Sequence, residues 1–92
     1  MSKRKKRYFQ IKWKKSAVKS LKRLTKKVRE KIVDKIEELS HNPFYGEKLK
    51  GTELDLRRLR IGEYRVIYLV EKEKLYILII KIGLRGDVYK NI

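Results

Sequence analysis

The stretch LDLRRLRIGEYRVIYLVEKEKLYILIIKIGLR, residues 54–85, decides how this chain folds. It holds three apolar runs separated by two turn signals, Gly62-Glu63 and the EKEK of residues 71–74, and this predicts an antiparallel meander with strands at about 54–61, 64–71 and 74–83. Side chains alternate between the two faces of a strand. Arg58 and Arg60 therefore share one face, Arg65 opens the next strand, and Lys81 shares a face with Gly83 and Arg85 if the last strand stays extended. Tyr89 follows four residues later. Guanidinium groups gathered on one face of a small sheet can grip phosphate in two-pronged fashion. The pattern points to nucleic acid, and to chemistry on it.

Upstream, Tyr8 to Trp13 alternates well enough for a short strand, with Phe9, Ile11 and Trp13 on one side. KKSAVKSLKRL then sets Ala17, Leu21 and Leu24 at helical spacing. Thr25 is placed to cap a second helix with the stripe Val28, Ile32, Ile36 and Leu39. The short link around Leu24 predicts an antiparallel helical hairpin. Asn42-Pro43 stops the second helix, and HNPFYGEKLKG (41–51) reads as a loop. The expected fold class is α+β: an N-terminal strand, an antiparallel helical hairpin, then a three-stranded antiparallel meander, with the helices packed on one face of a small sheet. Residues 1–7 read as a basic lead-in and 8–92 as a single domain.

Two helices cover only one face of such a sheet. Tyr64, Val66, Tyr68 and Val70 suit that core, yet Ile67 and Leu69 make the opposite face apolar as well. The last strand repeats the pattern, with Tyr76, Leu78, Ile80 and Ile82 expected on one side and Leu75, Ile77 and Ile79 on the other. A sheet with one wet face should alternate apolar with polar. Either the N-terminal strand and basic tail fold over the second face, or another chain covers it. So few residues remain to do the covering that a protein partner is the favoured reading.

The chain has 92 residues, with 27 Lys+Arg against 11 Asp+Glu and a formal charge of +16 at pH 7. One modest core fits that length. A charge excess of that size draws polyanions at long range. There is no cysteine, and a single histidine, His41. Disulfides and thiolate metal sites are excluded, and no metal or small-molecule cofactor is expected. His41 lies beside Asn42-Pro43, far in sequence from the arginine strands, and reads as a surface loop residue. The longest apolar run, LYILII at 75–80, is far too short to span a bilayer. MSKRKKR is followed by YFQIKWKK rather than a long apolar stretch, so it does not read as a secretory signal. A soluble cytoplasmic protein is expected. Scarce Asn and Gln with abundant Lys, Glu and Ile suggest a thermophilic source.

At KLKG (48–51), LRRLRIGEYRVIY (56–68) and IGLRGDVY (82–89), the chain resembles the RelE toxins of the RelE/ParE superfamily, in the manner of an archaeal or thermophilic member. The likeness runs from Tyr8 to Tyr89 and includes the helical hairpin with its Asn-Pro stop. It implies a toxin of a type II toxin–antitoxin system: a ribosome-dependent endoribonuclease that cuts messenger RNA without a metal. Its partners would be the ribosome, mRNA and a cognate antitoxin that silences it.

By position in the resemblance, Arg58, Arg65, Arg85 and Tyr89 are the expected catalytic residues. Lys48, Lys50, Arg60 and Lys81 are expected to bind RNA. Some relatives carry a lysine two residues before the Arg58 position, where this chain has Leu56. Lys15, Lys19, Lys22 and Lys26 form a basic helix face, read as solvated or as touching ribosomal RNA. Tyr64, Tyr68 and Tyr76 read as core. Two rival readings stand beside this one. A ParE-like toxin would inhibit DNA gyrase and cut nothing, and a plain RNA-binding module would need base-stacking aromatics that the apolar strand positions do not favour.

Overall fold

The computed structural model describes residues 8–86. Its elements run β1 (Gln10–Trp13), α1 (Lys15–Lys22), α2 (Lys26–Glu38), β2 (Glu47–Lys48), β3 (Leu56–Ile61), β4 (Tyr64–Glu71) and β5 (Tyr76–Leu84). They form one five-stranded sheet in the order β1-β5-β4-β3-β2. β1 pairs in parallel with β5, and the other pairs are antiparallel. The α+β architecture expected from the sequence is the one observed.

The helices lie on one face, α1 against β5 and α2 against β3. Thr25 caps α2, its Oγ1 accepting from the Val28 amide at 3.4 Å. Ala17, Ile32, Ile36 and Leu39 pack on Leu59, Ile61, Val66, Tyr68, Val70, Ile77, Ile79 and Ile82, all buried. These are the apolar helix positions and alternate strand positions, one side each of amphipathic elements. Among the described residues no helix is long and apolar enough to cross a membrane.

Two expectations about the strands need correction, and one of the two alternatives for the second face falls away. The last strand does not alternate strictly. Ile67 pairs with Lys81 but the next residue, Tyr68, pairs with Ile79, so Ile80 is an extra residue bulged out of the ladder. A bulge shifts the alternation by one, and Ile77, Ile79 and Ile82 all reach the same core. β1 does not fold over the second face; it joins the sheet in plane, as an edge strand beside β5. The basic lead-in lies outside the described residues. Residues 41–51 are not all loop either, because Glu47 and Lys48 form a two-residue strand against Arg58 and Arg57.

One row of the ladder runs Lys48, Arg57, Tyr68, Ile79, Trp13 across all five strands. Two of its members fix the loop between α2 and β2. The buried Tyr68 hydroxyl donates to the Pro43 carbonyl at 2.9 Å and accepts from the Gly46 amide at 2.8 Å. Arg57 Nη1 donates to the carbonyls of Phe44 at 3.1 Å and Gly46 at 2.9 Å, while its Nε is held by Asp55 at 2.8 Å. The loop passes so close that a Cβ on Gly46 would lie 2.6 Å from the Tyr68 hydroxyl oxygen and 2.8 Å from the Arg58 carbonyl oxygen.

Burial, chiefly, pushes the Tyr68 phenol above its ordinary value of 10.0, with the Gly46 amide pulling the other way. The fold thus holds the protonated form. That contribution is intact below about pH 10, the unfolded value, and is lost as pH rises from there through the folded one. Tyr68→Phe should cost about 1–3 kcal/mol at neutral pH, because a buried amide and carbonyl lose their partner. It should also flatten the alkaline loss of stability in urea melts; an unchanged midpoint at pH 7 would contradict the clamp. Gly46→Ala should destabilise by about 1–3 kcal/mol through overpacking, measured the same way.

Candidate nucleic-acid interface

The face of the sheet turned away from the helices has its own order. β3 and β4 pair Arg58 with Ile67 and Arg60 with Arg65; β4 and β5 pair Ile67 with Lys81 and Arg65 with Gly83. Two adjacent rows result, Arg58–Ile67–Lys81 and Arg60–Arg65–Gly83. Strands lie about 4.8 Å apart and alternate residues about 6.7 Å, so the four cations are rooted within roughly 12 Å of one another. Gly83 leaves the end of the second row without a side chain. Ile67, in the middle of the group, is fully buried even though it points away from the helical core.

The next row toward the other end is apolar: Leu56, Leu69, Leu78, then Lys12 on β1. Its three leucines are half-buried. Tyr76 lies beyond it with Lys12 Nζ 4.2 Å from its ring centroid, so this tyrosine is an outer-face residue and not core. Tyr68 is core and Tyr64 packs partly against it. The outer face is thus cationic near the β3–β4 turn and apolar toward the opposite end.

Each expected site residue among those described has a definite place. Arg58 is half-buried and forms an ion pair with Glu47, its cross-strand neighbour on β2. Arg60 is exposed. Arg65 is partly buried, and its Nη1 donates to the carbonyls of Gly62 and Tyr64, both at 3.0 Å, which ties it to the β3–β4 turn. Lys81 is half-buried in the Arg58 row. Arg85 is exposed just past β5, its amide donating to the Glu63 carbonyl at 3.1 Å, so the same turn anchors it beside Arg65. Tyr89 lies outside the described residues.

The two loop lysines divide. Lys48 pairs with Arg57 and so falls on the helix side of the sheet, not with Arg58. Lys50 is exposed past the end of β2, and its charge acts on Glu47. The helix lysines and His41 stay apart from this group. Lys15, Lys19, Lys22 and Lys26 are all exposed on the helices, and His41 stacks edge-on against Tyr8 with centroids 4.3 Å apart.

Sequence reasoning missed Glu47. Its carboxyl is held below the usual range, first by the hydrogen bond from Arg58 and its charge, then by Arg60 and Lys50. The available signal was its place directly before KLK, which only the β2–β3 pairing turns into a contact. At that edge a shallow hollow of about 380 Å³ is lined by Tyr45, Gly46, Glu47, Arg58, Leu59 and Arg60. Planar forks and a lysine, rooted on rigid strands, form a surface suited to the non-bridging oxygens of a phosphodiester. Among the described residues no group of three or more His, Cys, Asp or Glu could hold a metal ion.

Known proteins share this fold. The profile of the ParE toxin of type II toxin–antitoxin systems (parDE) matches residues 11–89. The RelE1 protein of Methanocaldococcus jannaschii is 38% identical over 88 residues, covering 90% of this chain and 97% of that one. The crystal structure of the archaeal RelE–RelB complex from Pyrococcus horikoshii superposes with a TM-score of 0.78 at 34% identity, covering 88% and 99% of the two chains. The isolated RelE toxin of E. coli superposes with a TM-score of 0.75 at 28% identity, covering 88% and 90%. Family profile, curated relative and solved structures agree over nearly the whole length, and the chain belongs to the RelE/ParE toxins of type II toxin–antitoxin systems.

Proposed function

We propose that this toxin is a ribosome-dependent, metal-independent endoribonuclease that cuts messenger RNA, and that a cognate RelB-like antitoxin neutralises it. The observation that carries the reading is the gathering of Arg58, Arg60, Arg65 and Lys81 on one sheet face, with Arg85 anchored beside Arg65. The 38% identity to RelE1 of M. jannaschii and the 34% identity to the RelE of a RelE–RelB complex support the RelE branch.

Metal-free cleavage of RNA uses the neighbouring 2′-hydroxyl as nucleophile. Its oxygen bonds to phosphorus as the P–O5′ bond breaks, giving a 2′,3′-cyclic phosphate and a 5′-hydroxyl. One group must take the 2′ proton and another must supply a proton to O5′. The non-bridging oxygens gain charge meanwhile. Arg65 and Arg85 are the forks assigned to those oxygens, with Arg58 at the β3 edge. Tyr89 is assigned the proton transfer, as base, since cationic neighbours favour phenolate. A phenol is a poor base at neutral pH, its reference value being about 10. Alignment of the messenger by the ribosome would make up for that weakness.

Loss of one such donor costs about 2.7–4 kcal/mol of transition-state stabilisation. Arg85→Ala should therefore fold normally, yet cut a translated messenger on ribosomes about 10²–10³-fold more slowly, and Tyr89→Phe, which loses the base, about 10²–10⁴-fold more slowly. Undiminished cleavage in either variant removes that residue from the mechanism. The matching family description names ParE, so the gyrase-inhibitor reading is tested alongside. Wild-type protein that leaves messengers intact but blocks supercoiling by gyrase would replace the nuclease reading. Coexpression with the protein encoded by a neighbouring antitoxin gene should yield a stable complex. Purification of the toxin as a monomer in its presence would contradict that partnership.

A further inference from the structure

We propose that Glu47 is an internal anion that occupies the Arg58 end of the cationic face, so that RNA phosphate engages there only by exchanging with the Glu47 carboxylate. The inference rests on the RNA-directed reading above and concerns how that same face discriminates among RNAs.

The register sets Glu47 directly across from Arg58, and the two are ion-paired. Arg58 rises from β3, a six-residue strand paired on both sides, and its side chain is 20% exposed, whereas that of Glu47, on a two-residue edge strand, is 64% exposed. The arginine is the fixed partner and the glutamate the one able to swing into solvent. Arg60 and Lys50 also act on the carboxylate, so three cations favour an anion at this point. The hollow at this edge is lined by Glu47, Arg58 and Arg60 together. A guanidinium fork receives a carboxylate and a phosphate with the same geometry. An exposed bridge is worth little, so the exchange is easily driven by a phosphate held in place at high local concentration. A loosely presented RNA gains less. Glu47 thus weakens binding to RNA that nothing else positions.

The test measures binding of the full chain to a labelled single-stranded oligoribonucleotide carrying 2′-O-methyl riboses, which blocks cleavage. Fluorescence anisotropy is followed across a salt series for the wild type and for Glu47→Gln, Glu73→Gln, Arg58→Gln and the Glu47→Gln/Arg58→Gln double variant. Glu73, in the turn before β5 at the far end of the sheet, controls for the bare change of charge. Glu47→Gln should bind about three- to fivefold tighter, with a log–log salt slope steeper by about 0.7, one more phosphate contact on a single strand. Glu73→Gln should change affinity less than about twofold, and the gain from Glu47→Gln should vanish when Arg58 is also replaced.

Equal or weaker binding by Glu47→Gln would overturn the proposal. So would an equal gain from Glu73→Gln, or a gain that persists without Arg58. Thermal melts check that each variant is folded, and Glu47→Ala should behave as Glu47→Gln does. The readout needs no cleavage. A wild type that binds RNA with this exchange but cuts nothing on ribosomes would overturn the function proposed above and leave the exchange standing. Normal ribosomal cleavage with unchanged Glu47→Gln affinity would overturn the exchange alone.

Discussion

Arg57 and Tyr68 stand opposite each other across β3 and β4, and between them they hold the loop that leads from α2 into β2. Five hydrogen bonds from two side chains tie Pro43, Phe44, Gly46 and Asp55 to the sheet. Once that row points toward the helices, alternation leaves the next one no choice. Arg58 and Ile67 must face the other way, with Lys81 beside them. The same two strands thus build the fold with one set of residues and the cationic face with the residues in between. A slip of one position would exchange the two sets, which is why the Tyr68 clamp matters to the site as much as to stability.

The bulge at Ile80 serves the same division. Without it, strict alternation through β5 would put Lys81 on the side of Ile77 and Ile79, against the helices. The extra residue resets the phase, so the isoleucines stay in the core while Lys81 joins the Arg58 row. Sheets use bulges in this way to re-aim a side chain. Here the re-aimed side chain is a cation of the candidate site.

Much of this was legible in residues 54–71. Arg58, Arg60 and Arg65 share a face because alternation around the Gly62-Glu63 turn requires it, and the helix stripe through Ile32, Ile36 and Leu39 was equally plain. The bulge was not legible, since an unbroken run of isoleucines and leucines fits either phase. Nor was β2: Glu47 and Lys48 have no strand propensity of note and are extended only because the clamp delivers them to the edge of β3. That omission hid the pairing of Glu47 with Arg58 and the place of Lys48 beside Arg57, on the opposite face from Arg58. Tyr76 was read as core because apolar residues surround it, and the bulge puts it on the outer face over Lys12.

A charge of +16 on 92 residues would draw RNA to many parts of this surface, so function turns on which cations engage specifically. The most direct measurement is NMR of the labelled protein, following backbone amides and arginine Nε–Hε signals as a cleavage-resistant messenger fragment is added. The largest shifts should fall on Arg58, Arg60, Arg65 and Arg85 and on the strands that carry them. Shifts confined to Lys15, Lys19, Lys22 and Lys26 on the helices, with β3 to β5 unmoved, would contradict it.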